Sequence, residues 1–209
     1  IFNTEYADIL KHFDHARISF SADGVKEGFN YTRHPGKWDK VEKNIKNWLR
    51  YTKGLKNFSY EVTYTTSILN VLHCHDMAEW ILDHNLSTQT SGDHIITLYV
   101  AFVFGPPSYC IKNIPPEAKK AVIEKVKRNA NILKNHPAFN NHSYVFDECM
   151  KIAQTLENAN EYSEHEFGKF FYDNDRLDKW RKEDFSSVFP ELFTILNKYR
   201  PPFNYHKIV

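Results

Sequence analysis

From Arg17 to Asp23 the chain alternates without a break. Ile18, Phe20 and Ala22 project to one side, and Arg17, Ser19, Ser21 and Asp23 to the other. A period of two requires a strand, and this one has a single apolar face. Fully buried parallel strands are apolar on both faces, so two serines and a terminal aspartate imply that something polar lies over this one. Gly24 ends the strand. A loop containing Tyr31, Arg33, His34 and Pro35 follows, and a helix begins near Gly36 or Lys37, with Trp38, Val41, Ile45, Trp48, Leu49 and Thr52 recurring at spacings of three and four. A ligand at the carboxyl end of this strand would meet Ser21, Asp23 and Arg33 together, the usual place for sites in α/β sheets.

The same alternation of strand and helix continues downstream. Residues 58–66 are rich in aromatic and β-branched side chains, with Tyr60, Val62 and Tyr64 on one face and Ser59, Glu61, Thr63 and Thr65 on the other. A helical segment is expected from Asn70, its inner stripe being Leu72, Ala78, Ile81 and Leu82. A polar connection over residues 85–93 then leads to the most apolar strand, 95–104, which stops at Gly105-Pro106-Pro107. Strands and helices in this order predict parallel neighbours joined by right-handed crossovers. An α/β class follows.

Beyond Ile111 the pattern is helical throughout. Pro115 and Pro116 suit a helix start, and Ala118, Val122, Val126, Ala130 and Leu133 follow at helical spacing with lysines outside. Further helices are expected over residues 144–156, from a Ser163/Glu166 capping box presenting Phe167, Phe170 and Phe171, and over 177–196 with a break at Pro190. The expected division is 1–111 for the α/β part and 112–209 for a helical extension.

Bulk properties exclude several classes. With 27 basic and 26 acidic residues the net charge is +1, so no global field draws the chain to nucleic acid or an anionic membrane. The longest apolar run is too short to span a bilayer as a helix, and the first residues lack a secretory signal. Cys74, Cys110 and Cys149 are odd in number and widely spaced, which fits reduced thiols in a cytoplasmic protein rather than disulfides or a metal motif. His73-Cys74-His75 cannot chelate one ion from a helix, because adjacent positions diverge by roughly 100°. The lysines at 119, 120, 125 and 127 with Arg128 read as a solvated helix face; RNA binding through them is the alternative.

Among polar residues, Ser19, Ser21 and Asp23 place short donors and acceptors on a rigid element, as hydroxyl and carboxylate ligands require. The competing reading is a strand ending in which Asp23 caps local amides. Arg33 could make a two-point contact with a carboxylate or be a surface loop residue, and Thr63 and Thr65 could be present for strand propensity alone.

These residues also resemble a family. The strand with S-x-D-G, the aromatic loop with its arginine and W-D-K-V-x-x-N-I resemble the fourth strand and helix of radical S-adenosylmethionine (SAM) enzymes, of the type carrying a twitch-domain extension. TYTTSILNVLHCHDMAEWI is similar to the fifth strand and its helix, and LDKWRKEDFSSVFPEL to the closing segment. Asn3-Thr4 followed by a helix over residues 6–13 resembles the end of the third strand. The resemblance implies the C-terminal part of a partial (β/α)6, TIM-like barrel, with the first half-barrel missing. It implies an iron-sulfur oxidoreductase that cleaves SAM reductively with a [4Fe-4S] cluster to a 5′-deoxyadenosyl radical, acting on a small molecule or peptide. Ser19, Ser21, Asp23 and Arg33 would hold SAM, with Thr63, Thr65 and Asn70 near its adenine and methionine ends. The family's C-x3-C-x2-C loop and G-G-E segment are missing, so the metal ligands are expected elsewhere in the parent and this chain alone is expected to be inactive. An auxiliary cluster is not expected, since residues 112–209 contain only Cys149. The alternatives are a non-catalytic α/β module binding a nucleotide or peptide, and a helical protein associated with nucleic acid.

Overall fold

Three parallel strands and nine helices carry the fold in the computed structural model, which describes residues 1–91 and 94–202, residues 86–91 as backbone only. Helix α1 (Thr4–Leu10) precedes β1 (Ala16–Ser21), α2 (Lys26–Thr32) and α3 (Trp38–Tyr51). Then come β2 (Phe58–Thr66), α4 (Cys74–Ser91) and β3 (Ile96–Phe102). The remainder is α5 (Pro116–Ile132), α6 (Tyr144–Asn158), α7 (Glu164–Arg181), α8 (Phe185–Val188) and α9 (Pro190–Asn197), joined by short single turns. No described helix is long and apolar enough to cross a membrane.

The strands lie side by side in the order of the sequence, β1-β2-β3, with Ser19 opposite Glu61, Ser21 opposite Thr63 and Thr63 opposite Tyr99. This register gathers the apolar halves of the alternations on one face. Tyr60, Val62, Tyr64, Ile96, Leu98 and Val100 are all buried there, beneath Trp38, Ile45 and Trp48 of α3 and Met77, Ile81 and Leu82 of α4. The opposite face carries Arg17, Ser19, Ser21, Thr97 and Tyr99, all exposed. On it Arg17 pairs with Glu61 and Ser19 Oγ bonds Thr63 Oγ1 at 3.0 Å.

Side chains close the outer edge of β3 where a fourth strand would otherwise pair. Tyr144 donates to Ile96 O at 3.0 Å, and Glu148 Oε2 accepts from Val100 N at 2.9 Å, both from α6. Asn85 of α4 holds the same edge, accepting from Ile96 N at 2.9 Å and donating to Ile96 O at 3.0 Å. Among the described residues no side chain bonds the outer backbone edge of β1. Its alternate amides at Ala16 and Ala22 donate to β2 at Asn57 O and Thr63 O, which directs those of Arg17, Ser19 and Ser21 away from the sheet.

Among the described residues all strands precede residue 112 and only helices follow, yet a single continuous core runs through both parts. Ala118, Val122 and Val126 of α5, Cys149 and Ile152 of α6, and Phe167, Phe170 and Phe171 of α7 belong to the same buried cluster as the sheet. Ser163 caps α7 by accepting from Glu166 N at 3.2 Å.

Several boundaries differ from the sequence expectation. The loop after β1 contains a short helix, α2, that buries Phe29 and Tyr31. α1 begins at Thr4 because Asn3 caps it, accepting from Glu5 N and Tyr6 N. α4 starts at Cys74, not Asn70, whose side chain is engaged in the preceding turn. The polar run expected as a connection is helical to Ser91, residues 92 and 93 lying outside the described ones. Lys119 is buried, not solvated: its ammonium donates to Ala159 O at 2.8 Å and Glu161 O at 3.1 Å, and burial lowers its pKa. Cys74 and Cys149 meet in the core with their sulfurs 3.3 Å apart, all three cysteines being free.

Because Asn85 is the acceptor for the buried Ile96 N and shares Ile96 O with Tyr144, Asn85→Ala should destabilise the chain by about 1–3 kcal/mol. Urea unfolding followed by circular dichroism would show the lowered midpoint; an unchanged midpoint would mean that water replaces the amide.

Candidate functional site

At the carboxyl edge of the sheet the ladder between β1 and β2 runs out in a defined way. Ala22 N still donates to Thr63 O at 3.0 Å. Gly24 then turns the chain away with φ +157°, where an added Cβ would lie 3.1 Å from Phe29 N, so any other side chain there would be strained. Asp23 supplies the acceptor that the departing backbone no longer provides: its Oδ1 accepts from Thr65 N at 2.9 Å. Its Oδ2 pairs with Arg33 Nε, and Arg33 Nη2 donates to Ser21 Oγ at 2.8 Å.

Asn70 completes the arrangement from the turn after β2. Its amide nitrogen donates to Asp23 O at 2.9 Å and Thr65 O at 3.1 Å, while its oxygen accepts from Ser67 N at 2.8 Å. Ser21, Asp23, Arg33, Thr65 and Asn70 thus form one connected network. Ser19 and Thr63 stand apart on the open sheet face, bonded to each other.

Above this network lies a cavity of about 340 Å³. Its floor is Asp23, Thr65, Ser67 and Asn70; its walls are Tyr31 and Thr32 of α2 and Val103 to Tyr109 after β3; its roof is Asn174, Leu177 and Arg181 of α7. Polar contacts lock roof to wall. Tyr31 donates to Asp178 Oδ1 at 2.6 Å, Asn174 Nδ2 donates to Tyr31 Oη at 2.8 Å, and Asp178 Oδ2 accepts from Phe185 N at 2.8 Å. Burial, reinforced by the Asp178 hydrogen bond, pushes the Tyr31 phenol far above its ordinary pKa. Burial, with the Asp173 carboxylate in the same direction, pushes Tyr109 up to about 12. Both phenols are therefore neutral donors at physiological pH.

A second, acidic cleft of about 480 Å³ shares Asp23 and Asn70 but opens between α2, α3 and α4. Much of its acid is internally matched: Glu42 takes Trp80 Nε1 and Lys46, Asp76 takes His73 and His75, and Asp83 takes His136. The His73-Cys74-His75 run therefore serves Asp76 and the core. Among the described residues no group of three His, Cys, Asp or Glu side chains could hold a metal.

The chain matches no family model, no curated protein and no solved structure.

The donor set fits parts of the SAM molecule and not the iron. Hydroxyls, amides and a guanidinium facing one cavity suit a ribose diol and a carboxylate. The cysteines do not suit a four-iron cluster, since Cys74 and Cys149 face each other in the core and Cys110 Sγ points at Pro106 O. The roof was the part missed by reasoning from local pattern. Asn174 and Arg181 are distant in sequence from the strand edge and carry no periodic signal; the leucine-aspartate pair and arginine of the closing segment, Leu177, Asp178 and Arg181, were the one available sign.

Asp23 touches two strands and Arg33 touches only Asp23 and Ser21, so the pair is asymmetric. Asp23→Ala should cost about 2–3 kcal/mol by orphaning Thr65 N and Arg33, and Arg33→Ala, on the more exposed partner, about 1 kcal/mol or less. Equal losses in urea unfolding would contradict the ladder-end role of Asp23. A second expectation concerns alkali. Tyr31 and Tyr109 have folded pKa values raised above the unfolded value of about 10, so their contribution is complete below pH 10 and is lost above it, by up to about 1.4 kcal/mol per pH unit for each group. Unfolding midpoints compared at pH 9 and pH 11 should fall steeply, and less so in Tyr31→Phe.

Proposed function

We propose that this chain binds SAM, with or beside its substrate, at the carboxyl edge of the sheet, as the C-terminal part of a radical SAM enzyme built on a partial (β/α)6 barrel. One observation carries the reading: the strand-edge residues singled out by the family resemblance share a network that floors a cavity roofed by the closing segment. Strands in sequential order with helices on one face are what a segment of a singly wound barrel would present. The polar face, with Ser19 and Thr63, would then line the barrel interior, and the uncovered edge of β1 would receive the missing half-barrel.

Asp23, Thr65, Ser67 and Asn70 would orient the ligand from below, Ser21 and Arg33 would hold Asp23 in place, and the neutral phenols of Tyr31 and Tyr109 would enclose it. When bound in an intact enzyme, SAM and its cluster would supply reductive cleavage and hydrogen abstraction, with cluster ligands that would lie outside this chain. The cytoplasm, where thiols remain reduced, is the proposed setting.

The test is calorimetric titration of the chain with SAM. Binding with Kd below about 1 mM, weakened roughly three- to tenfold by Thr65→Val at unchanged folding stability, is expected from the loss of one neutral hydroxyl contact. No heat of binding at millimolar SAM would sink the proposal for this chain.

A further inference from the structure

Arg181 is the last residue of α7 and forms part of the cavity roof. Its side chain is only 20% exposed, and no hydrogen bond is made by its guanidinium among the described residues. Its Nε is fully buried and unpartnered. Glu183 forms an ion pair with Arg181, Oε2 lying 4.0 Å from Nη1, too far for a hydrogen bond. That oxygen is itself buried and unpartnered, while Oε1 of Glu183 is bonded to His34 Nδ1 at 3.0 Å. A guanidinium carries five donors in a planar fork and stays charged; with Nε buried and unpartnered and its ion-pair partner Glu183 only at 4.0 Å, the bonding of this one is incomplete.

The contrast with Arg33 is informative. Arg33, the arginine expected to grip a ligand carboxylate, is engaged by Asp23 and Ser21 and is not a cavity wall. The neutral lining around Arg181, namely Asn174, Tyr109, Thr65 and Ser67, supplies further donors but no second cation. Asp23 on the floor adds a negative charge that disfavours a multiply charged anion. The cavity is therefore matched to one monovalent, planar anion.

We infer that Arg181 is the anion anchor of this cavity and takes a ligand carboxylate through its guanidinium fork. The inference rests on the proposed site but not on the identity of SAM. It makes the ligand a small polar molecule ending in a carboxylate, held between the helical extension and the sheet edge, so the ligand itself would join the two parts.

Two arms test it on the whole chain. In the first, melting temperatures are read in sodium acetate and in sodium chloride at matched ionic strength. Wild type should gain about 2 °C in acetate when the site is well filled. Arg181→Gln should lose the gain, while Arg176→Gln, in the neighbouring open recess, should keep it. In the second, SAM is compared by calorimetry with 5′-methylthioadenosine, which lacks the amino-acid end. Wild type should favour SAM, and Arg181→Gln should weaken SAM about 10- to 100-fold while leaving 5′-methylthioadenosine unchanged. An acetate response abolished by Arg181→Gln, with no SAM binding, keeps the anion anchor and removes the SAM reading. SAM binding undiminished in Arg181→Gln removes the anchor and keeps SAM. Absence of any acetate-specific gain in wild type, with no SAM binding, overturns the anchor, and urea midpoints of the unliganded variants separate these outcomes from misfolding.

Discussion

A parallel sheet that is apolar on one face only must put every crossover helix on that face, and this single constraint organises the molecule. The aromatic side of β2, with Tyr60, Val62 and Tyr64 fully or almost fully buried, fixes which face that is. A one-residue slip in register would carry all three onto the polar side and bury Glu61, a loss of several kcal/mol in transfer energy alone. Helices α3 and α4 then have one place to go. The carboxyl ends of all three strands consequently open in one direction, and the ladder ends there on a carboxylate.

That ending links fold to site. A strand that leaves its sheet exposes an amide on its neighbour, and here Asp23 accepts it directly while Arg33 balances the charge. The residues best placed to meet a ligand are therefore also the ones that terminate the sheet. The two readings of Asp23 weighed from sequence, strand cap or ligand contact, need not compete: one oxygen serves Thr65, and the cavity meets the same side chain from above.

Sequence pattern exposed the parts of this architecture that depend on local periodicity. Residues 58–66 alternate strictly and form a strand over that span, and the helical stripe Ala118, Val122, Val126, Ala130 and Leu133 is buried as its spacing requires. Features that depend on long-range pairing were not legible. Lys119 was indistinguishable from its solvated neighbours, because its partners are backbone carbonyls at Ala159 and Glu161, which no side-chain pattern marks. α2 was missed because its seven residues bury only Phe29 and Tyr31, too few to establish a period. The contrast of Arg33 and Arg181 has the same cause: spacing locates a charged residue, but only the fold decides whether its donors are already engaged.

The helical part is best understood through what it does to the sheet. α6 seals the edge of β3 with Tyr144 and Glu148, which prevents that edge from templating a foreign strand. α7 meanwhile roofs the strand ends, tied down by the contact of Tyr31 with Asp178 and Asn174. Neither role is available to an independently folded appendage, and the shared hydrophobic core is the physical consequence. The asymmetry left behind, one sealed edge at β3 and one unsealed edge at β1, assigns the two ends of the sheet different parts. The β3 end is finished by this chain's own side chains, and among the described residues the β1 end has no such contacts.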